Sequence, residues 1–315
     1  MLAFVLEGGR ARLVADRSRP AIREGYTRVR VRAAGICNTD LELARGYMSY
    51  QGVLGHEFVG EAMDGSLAGQ RVVAEINFAC GLCDQCTTGL RRHCSRRRVM
   101  GIVDADGALA EEVVVPVENL HPVPHTIGDE AAVFVEPLAA ACEILEQLGA
   151  DRRRGAAAVL GAGKLGPLVA QVLAADGYDV VLIGRRLESV QWLLGRAVRL
   201  AFPDLVHRQY DLVVDATGSG EGLQRAIAMT APRGTLVLKT TIAGAHEVDL
   251  APVVVNEIRL LGSRCGSFAP AIGLLNAGAV DVAALVTDRY RLSQADEAFA
   301  RAASPGARKV IVTVS

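Results

Sequence analysis

Four cysteines crowd into residues 80–94 of this chain: Cys80, Cys83, Cys86 and Cys94. Their x2, x2, x7 spacing places four soft thiolates in a glycine-bearing loop. Four such ligands fill the tetrahedral shell of zinc and leave no position for substrate, so this reads as a structural metal site. A fifth, Cys37, stands apart in Gly35-Ile36-Cys37-Asn38-Thr39-Asp40. His56 and Glu57 follow in Gly55-His56-Glu57-Phe58-Val59-Gly60, and Glu136 precedes Pro137. One thiolate, one imidazole and one or two carboxylates make a mixed set suited to zinc with a position left open for water or substrate. Singly, each has a plainer use, as a core cysteine, a satisfied histidine or a helix-start glutamate.

A third constellation grips phosphate. Ala157–Leu160 read as a short buried strand, Gly161-Ala162-Gly163-Lys164-Leu165-Gly166 as a Gly-x-Gly-x-x-Gly turn, and Leu168, Val169, Val172 and Leu173 as a helix. The first glycine permits the turn, the second lets the backbone approach a pyrophosphate, and the third lets helix and strand pack. The helix N-terminus then offers free N–H groups to the phosphates. Pro167 fits the first helical turn, where N–H groups have no intrahelical partner. NAD-binding folds place an acid about 20 residues beyond the motif, on the ribose 2′-hydroxyl. Here the next strand, Val180–Ile183, ends in Gly184, followed by Arg185 and Arg186. Glycine neither repels a 2′-phosphate nor crowds it, and the guanidinium groups can pair with it. The expected cofactor is therefore NADP(H) in preference to NAD(H). The plainer reading makes Arg185 and Arg186 solvated loop charges.

The elements that must position these groups fall into two styles. Residues 1–137 are β-rich, with short apolar strands at Val29–Val31, Arg71–Val73 and Glu111–Val115 separated by glycine turns, which predicts an irregular, mostly antiparallel domain carrying the 80–94 lobe. Residues 119–124 read as a stiff extended connector, and residues 129–148 as helical, interrupted at Pro137. Residues 138–265 alternate strand and helix, with later strands at Asp211–Val214, Thr235–Leu238 and Ile258–Leu261 and helices at Leu187–Leu194 and Leu223–Met229. That rhythm predicts a doubly wound parallel α/β sheet of Rossmann type. Residues 266–315 return to the first domain through the strand near Lys309–Val314.

Composition narrows the classes. Lys plus Arg is 34 and Asp plus Glu is 35, a balance that argues against a general nucleic-acid binder. Arg91, Arg92, Arg96, Arg97 and Arg98 beside the cysteine lobe raise one rival, a nucleic-acid-binding zinc ribbon, but basic runs around a surface loop are ordinarily solvated. No apolar run approaches ~18 residues, so no membrane span is expected. Met1–Glu7 reads as a first strand, not a leader. Seven cysteines, an odd count with four clustered, speak for metal and a reducing compartment, hence a cytoplasmic protein. Only Lys164, Lys239 and Lys309 are lysines, which reads as a preference for arginine.

In order along the chain, Gly-Ile-Cys-x-Thr-Asp at 35–40, Gly-His-Glu at 55–57, the four-cysteine lobe, Glu-Pro-Leu at 136–138 and the glycine turn at 161–166 resemble the zinc-dependent medium-chain dehydrogenase/reductase family of alcohol, polyol and threonine dehydrogenases. The resemblance spans nearly the whole chain. It implies a GroES-like catalytic domain beside the Rossmann domain, one catalytic and one structural Zn2+, and a zinc-dependent oxidoreductase. Hydride would pass between a hydroxyl, or the matching carbonyl, and a nicotinamide cofactor. It implies that Cys37 and His56 bind the catalytic zinc, that Glu57 is a ligand or its neighbour, and that Glu136 stands where many alcohol dehydrogenases carry cysteine, as in the polyol, sugar and threonine branch. Thr39 matches the residue that passes the substrate proton onward. Thr217 and Gly218 match a loop beside the nicotinamide ribose, and Lys309, or its neighbour Arg308, matches a cation on the pyrophosphate. Homo-oligomers, dimers or tetramers, are usual in the family. Two departures stand out: Glu42 occupies a relay-histidine position, and the loops between Cys37 and His56 and over 61–70 look trimmed. A zinc-free quinone or enoyl reductase of the same fold is the other enzymatic reading, and the Cys37, His56 and Glu136 set argues against it.

Overall fold

The computed structural model describes residues 1–205, 209–239 and 247–314. Two compact units form. One comprises Met1–Glu136, Phe268–Asn276 and Val282–Ser315, the other Pro137–Ser267 and Ala277–Asp281.

The first unit is built around the strand Tyr26–Ile36. Along its first half Thr27, Val29 and Val31 are buried while Arg30 and Arg32 are exposed, the period of two of a sheet with one wet face. From Ala33 to Ile36 every residue is buried. Here Glu57–Ala62 pairs antiparallel on one side, with Glu57 opposite Gly35, and Lys309–Thr313 on the other, with Ile311 opposite Gly35. The sheet order is Leu120–Pro122, Arg71–Ala74, Glu57–Ala62, Tyr26–Ile36, Lys309–Thr313, Val286–Arg291, and Glu112–Pro116 also pairs with the central strand. One register thus sets segments from residues 36, 57 and 309 side by side. The strand ends at Ile36, and the helix Asn38–Ala44 begins immediately after Cys37.

The second unit carries the doubly wound sheet. Its six strands are all parallel, in the spatial order Val198–Ala201, Asp179–Ile183, Ala156–Leu160, Tyr210–Asp215, Thr230–Leu238, Arg259–Gly262. Strand order reverses between Ala156–Leu160 and Tyr210–Asp215, the place where such folds bind ligands at the carboxyl ends of their strands. A core of Ala158, Leu160, Val181, Ile183, Val213, Ala226, Ile227 and Leu236 fills one side.

Several local expectations are corrected. Within residues 119–124, Leu120–Pro122 is not a free connector but a strand paired with Arg71–Ala74. The helical stretch breaks earlier than Pro137. Asp129–Ala132 forms one short helix, and Val135–Leu148 runs unbroken through Pro137, which sits in its first turn where no N–H is needed. The segment after Leu187, expected as a helix, makes 3-10 turns over Glu188–Arg196 and then an unexpected strand, Val198–Ala201. Ala197, at φ 58°, makes the left-handed turn between them.

Candidate active site and metal centres

The end of the central strand and the start of the next helix deliver Cys37. The backbone N–H of Cys37 donates to Asp40 Oδ2 at 2.8 Å, and Asp40 Oδ1 accepts from the Gly55 N–H at 3.1 Å. Asp40 is completely buried, and its Oδ1 lies 3.4 Å from His56 Nδ1. A carboxylate beside the far nitrogen of an imidazole fixes which nitrogen is left to bind a metal. Sequence reasoning did not single out Asp40. The available signal was its place three residues beyond Cys37 at a helix start, the capping-box spacing.

Cys37, His56 and Glu57 converge, with one ligand atom from each within 4.8 Å of the others. Glu57 Oε2 accepts from the buried ammonium of Lys309, which also lies 5.4 Å from the ring centre of Phe134. Gly35 makes room for this pair, because a Cβ there would meet Glu57 Oε2 at 2.6 Å and the Lys309 side chain at 3.0 Å. Glu136 lies outside the convergent trio, close enough to Lys309 for its charge to act on it. Thr39 Oγ1 stands 3.7 Å from Cys37 Sγ. Glu42, at the relay-histidine position, pairs instead with Arg45 at 2.6 Å.

The electrostatics suit a cation. Burial alone would lower the pKa of His56, yet the charges of Asp40 and Cys37 raise it well above the usual value. Burial likewise opposes the charge on Lys309, and Glu57 and Cys37 overcome it and raise its pKa. A cluster that draws protons onto every basic group it contains holds surplus negative charge, and a divalent ion satisfies that surplus.

The four-cysteine lobe gives a different picture. Cys80, Cys83, Cys86 and Cys94 bring their sulfurs within 4.8 Å of one another, with Cys83 at 3.5 Å from Cys86 and 3.6 Å from Cys94. Backbone N–H groups point at the sulfurs: Cys80 N at Cys94 Sγ, 3.3 Å, and Leu82 N at Cys80 Sγ, 3.5 Å. The Leu82 N–H, with that of Cys83, lowers the pKa of Cys80, whereas burial raises that of Cys86. Four thiolates cannot share so small a volume without a cation, and the all-sulfur set suits zinc. Three of the five arginines beside the lobe have partners within the protein: Arg91 pairs with Glu118, Arg97 donates to the Cys94 carbonyl and Arg98 to the Tyr26 hydroxyl.

In the second unit the glycine turn leaves the strand Ala156–Leu160 at the reversal point. Gly161 has φ 107°, and a Cβ on Gly166 would stand 1.9 Å from the Gly161 carbonyl oxygen, so both positions require glycine. Lys164 and Leu165 are half-buried beside the exposed Gly163. A Cβ on Gly161 would also meet the Ala216 carbonyl at 2.5 Å, so the loop bearing Thr217 and Gly218 lies against the turn. Asp215 Oδ1 holds that loop, accepting from Thr217 N at 3.0 Å and from Thr217 Oγ1 at 2.7 Å. Gly184 is buried, and Arg185 and Arg186 beyond it are exposed. Gly184 does not simply leave space, because a Cβ there would stand 2.5 Å from the Ala162 Cβ. The glycine is demanded by the phosphate loop itself. Lys309 sits in the first unit, against Glu57.

Comparison with known proteins gives this geometry its class. Residues 23–125 match the model of the alcohol dehydrogenase GroES-like domain, and residues 199–279 match that of the zinc-binding dehydrogenases. The chain is 31% identical to the L-threonine 3-dehydrogenase of Streptomyces coelicolor over 99% of both proteins. A zinc-binding dehydrogenase from Sinorhizobium meliloti 1021, solved with NADP, superposes with TM-score 0.88 at 26% identity, covering 99% of this chain and 98% of that one. An alcohol dehydrogenase from Escherichia coli CFT073, solved with NADH, gives TM-score 0.89 at 25% identity over 99% of each. This chain belongs to the zinc-type medium-chain dehydrogenase/reductase family. It is an alcohol dehydrogenase-like oxidoreductase acting on a small-molecule alcohol with a nicotinamide cofactor. Among the described residues no helix is long and apolar enough to cross a membrane.

Proposed function

We propose that the protein is a zinc-dependent dehydrogenase of polyol-, sugar- or amino-alcohol-type hydroxyls, holding one catalytic and one structural zinc and preferring NADP(H). The observation that carries this reading is the convergence of Cys37, His56 and Glu57, with one ligand atom from each within 4.8 Å of the others, braced by Asp40. Cys37 and His56 hold the catalytic ion, with Glu57 or Glu136 in the third place. When bound, zinc supplies Lewis-acid polarisation of the substrate oxygen, and the nicotinamide takes or gives the hydride. The rest is done by this chain's own groups. Asp40 keeps the His56 ring in one orientation. The Thr39 hydroxyl accepts the substrate proton and hands it onward, a role supported by its position 3.7 Å from Cys37 Sγ. Lys309 places a positive charge against the buried Glu57 carboxylate. Cys80, Cys83, Cys86 and Cys94 hold the structural ion.

The NADP preference rests on Gly184 without an acid and on the exposed guanidinium groups of Arg185 and Arg186. Replacing both arginines by alanine should raise KM for NADPH at least tenfold more than KM for NADH, since hydrogen bonds to charged groups contribute roughly 1.5–3 kcal/mol. Gly184→Asp should favour NAD only together with Ala162→Gly, which removes the Cβ in its path. Equal weakening of both cofactors, or higher wild-type efficiency with NADH, contradicts the assignment. A homo-oligomer is part of the reading. Val254 and Val255, 76% and 79% exposed on the helix Ala251–Val255, support it, and light scattering on the purified protein tests it. A panel of alcohols, polyols, sugars and amino alcohols with both cofactors tests the activity; no turnover on any of them, with zinc bound, counts against it.

A further inference from the structure

Lys239 is one of only three lysines in a chain that otherwise meets its need for cations with arginine. It follows directly on the strand Thr230–Leu238. Its ammonium donates to the Ala140 carbonyl at 2.6 Å, the Arg264 carbonyl at 2.8 Å and the Ser263 hydroxyl at 3.2 Å. Ala140 lies in the helix Val135–Leu148, and Ser263 and Arg264 follow the strand Arg259–Gly262. The Lys239 backbone N–H donates to the Asp215 carbonyl at 3.0 Å, and the Ser263 N–H to the Leu238 carbonyl at 3.0 Å. One residue therefore ties together the carboxyl ends of three neighbouring strands and a helix. The segment after Arg264 runs hard against that helix, because a Cβ on Gly266 would stand 2.0 Å from the Ala139 carbonyl oxygen. Three acceptors in three directions suit a tetrahedral ammonium; a planar guanidinium fork cannot serve them. Cys142 is no counter-ion here, because burial pushes its thiol up to about 12 although Lys239 pulls the other way.

The position has a functional meaning in a doubly wound sheet. Such sheets comprise two mononucleotide-binding halves, with ligand outside the carboxyl ends of the strands. The first half here contains the glycine turn and Gly184, which serve the adenosine side. The second half consists of Tyr210–Asp215, Thr230–Leu238 and Arg259–Gly262, whose carboxyl ends Lys239 joins. We propose that Lys239 is a positioning residue for the nicotinamide half of the cofactor, holding rigid the strand ends against which the nicotinamide nucleotide rests. This rests on the nicotinamide-cofactor reading above.

The test uses the full chain and three probes, NADPH, NADH and ADP-ribose, titrated into wild type, Lys239→Met and Lys239→Gln. Methionine keeps the stem and removes every donor, whereas glutamine keeps two. Lys239→Met should bind the preferred reduced dinucleotide roughly tenfold more weakly, with ADP-ribose affinity unchanged within about twofold. Its hydride-transfer rate should fall, and Lys239→Gln should lie between. A merely structural role would weaken dinucleotide and ADP-ribose alike, and that result overturns the proposal, as does wild-type dinucleotide affinity in Lys239→Met. If Lys239→Met fails to fold, the same selective loss in Lys239→Gln decides in its favour and an unselective one against. A wild type that binds no dinucleotide fails the cofactor reading itself and takes the proposal with it.

Discussion

Two cysteine-bearing clusters share the β-rich unit, and what surrounds them differs. The lobe at 80–94 is closed on itself: four sulfurs face one another, backbone N–H groups donate to them, and the local helix is a single short turn, Asp84–Thr87. The Cys37–His56–Glu57 cluster is held from outside. It hangs on the end of the strand Tyr26–Ile36 and the start of its neighbour Glu57–Ala62, and each member is wired to a group that is not itself a member: Cys37 and His56 to Asp40, Glu57 to Lys309. With zinc in both sites, as proposed, the lobe would organise the chain around a metal, and the mixed cluster would hold a metal on a scaffold that already stands. On the proposed reading, loss of the first metal costs fold and loss of the second costs chemistry.

Crossed substitutions should break that contrast most sharply if it is wrong. Cys37→Ala is expected to abolish turnover and lose one equivalent of metal, with the circular dichroism spectrum and unfolding midpoint close to wild type. Cys94→Ala should lower the unfolding midpoint strongly, since structural zinc contributes folding free energy directly. If Cys37→Ala unfolds the protein and Cys94→Ala leaves stability intact, the roles are reversed.

Thr39→Ala should lower kcat on the order of 10²-fold, with Thr39→Ser recovering much of it. The plain alternative, a turn-stabilising hydroxyl, predicts wild-type turnover. Asp40→Asn should cost about 10–100-fold in activity or metal affinity, the usual effect of disturbing a group that orients a metal ligand. Metal titration of the purified variant checks this, and an undiminished affinity would remove Asp40 from the account.

The smallest effect concerns acid stability on the lobe side. Burial would raise the pKa of Glu75, but hydrogen bonds from His121 and the Phe268 N–H, with the charges of His121 and Arg92, lower it below 4.5. A carboxylate depressed in the folded state contributes stability in full above its unfolded pKa and loses it as pH falls through the folded one. Glu75→Gln should therefore be less stable than wild type at pH 7, by no more than about 1 kcal/mol for a partly exposed pair. The gap should close below roughly pH 4. Urea unfolding of both proteins across that range measures it.

What the sequence shows and what it hides follow from distance along the chain. The cysteine lobe, the glycine turn and the strand–helix alternation were legible because each is written in contiguous residues. The parallel sheet is the one that the alternation demanded. The pairing of Glu57 with Lys309 joins residues 252 apart and depends on the register of three strands, which no local pattern records. Asp40 escaped because its partner Gly55 lies 15 residues on, with His56 beside it, beyond a helix, a 3-10 segment and a short strand whose path no local pattern records. Pro137 misled because a proline inside helical text breaks a helix in its middle but not in its first turn. The strand Val198–Ala201 was too short, and too plainly introduced by Ala197, to stand out.

Stepwise chelation with metal content, turnover and unfolding midpoint followed together tests the central claim most directly. The account predicts two zinc ions per chain. The first leaves in proportion to lost turnover while the midpoint hardly moves, and the second leaves only as the fold is lost. Purified enzyme carrying a single zinc at full activity would contradict it.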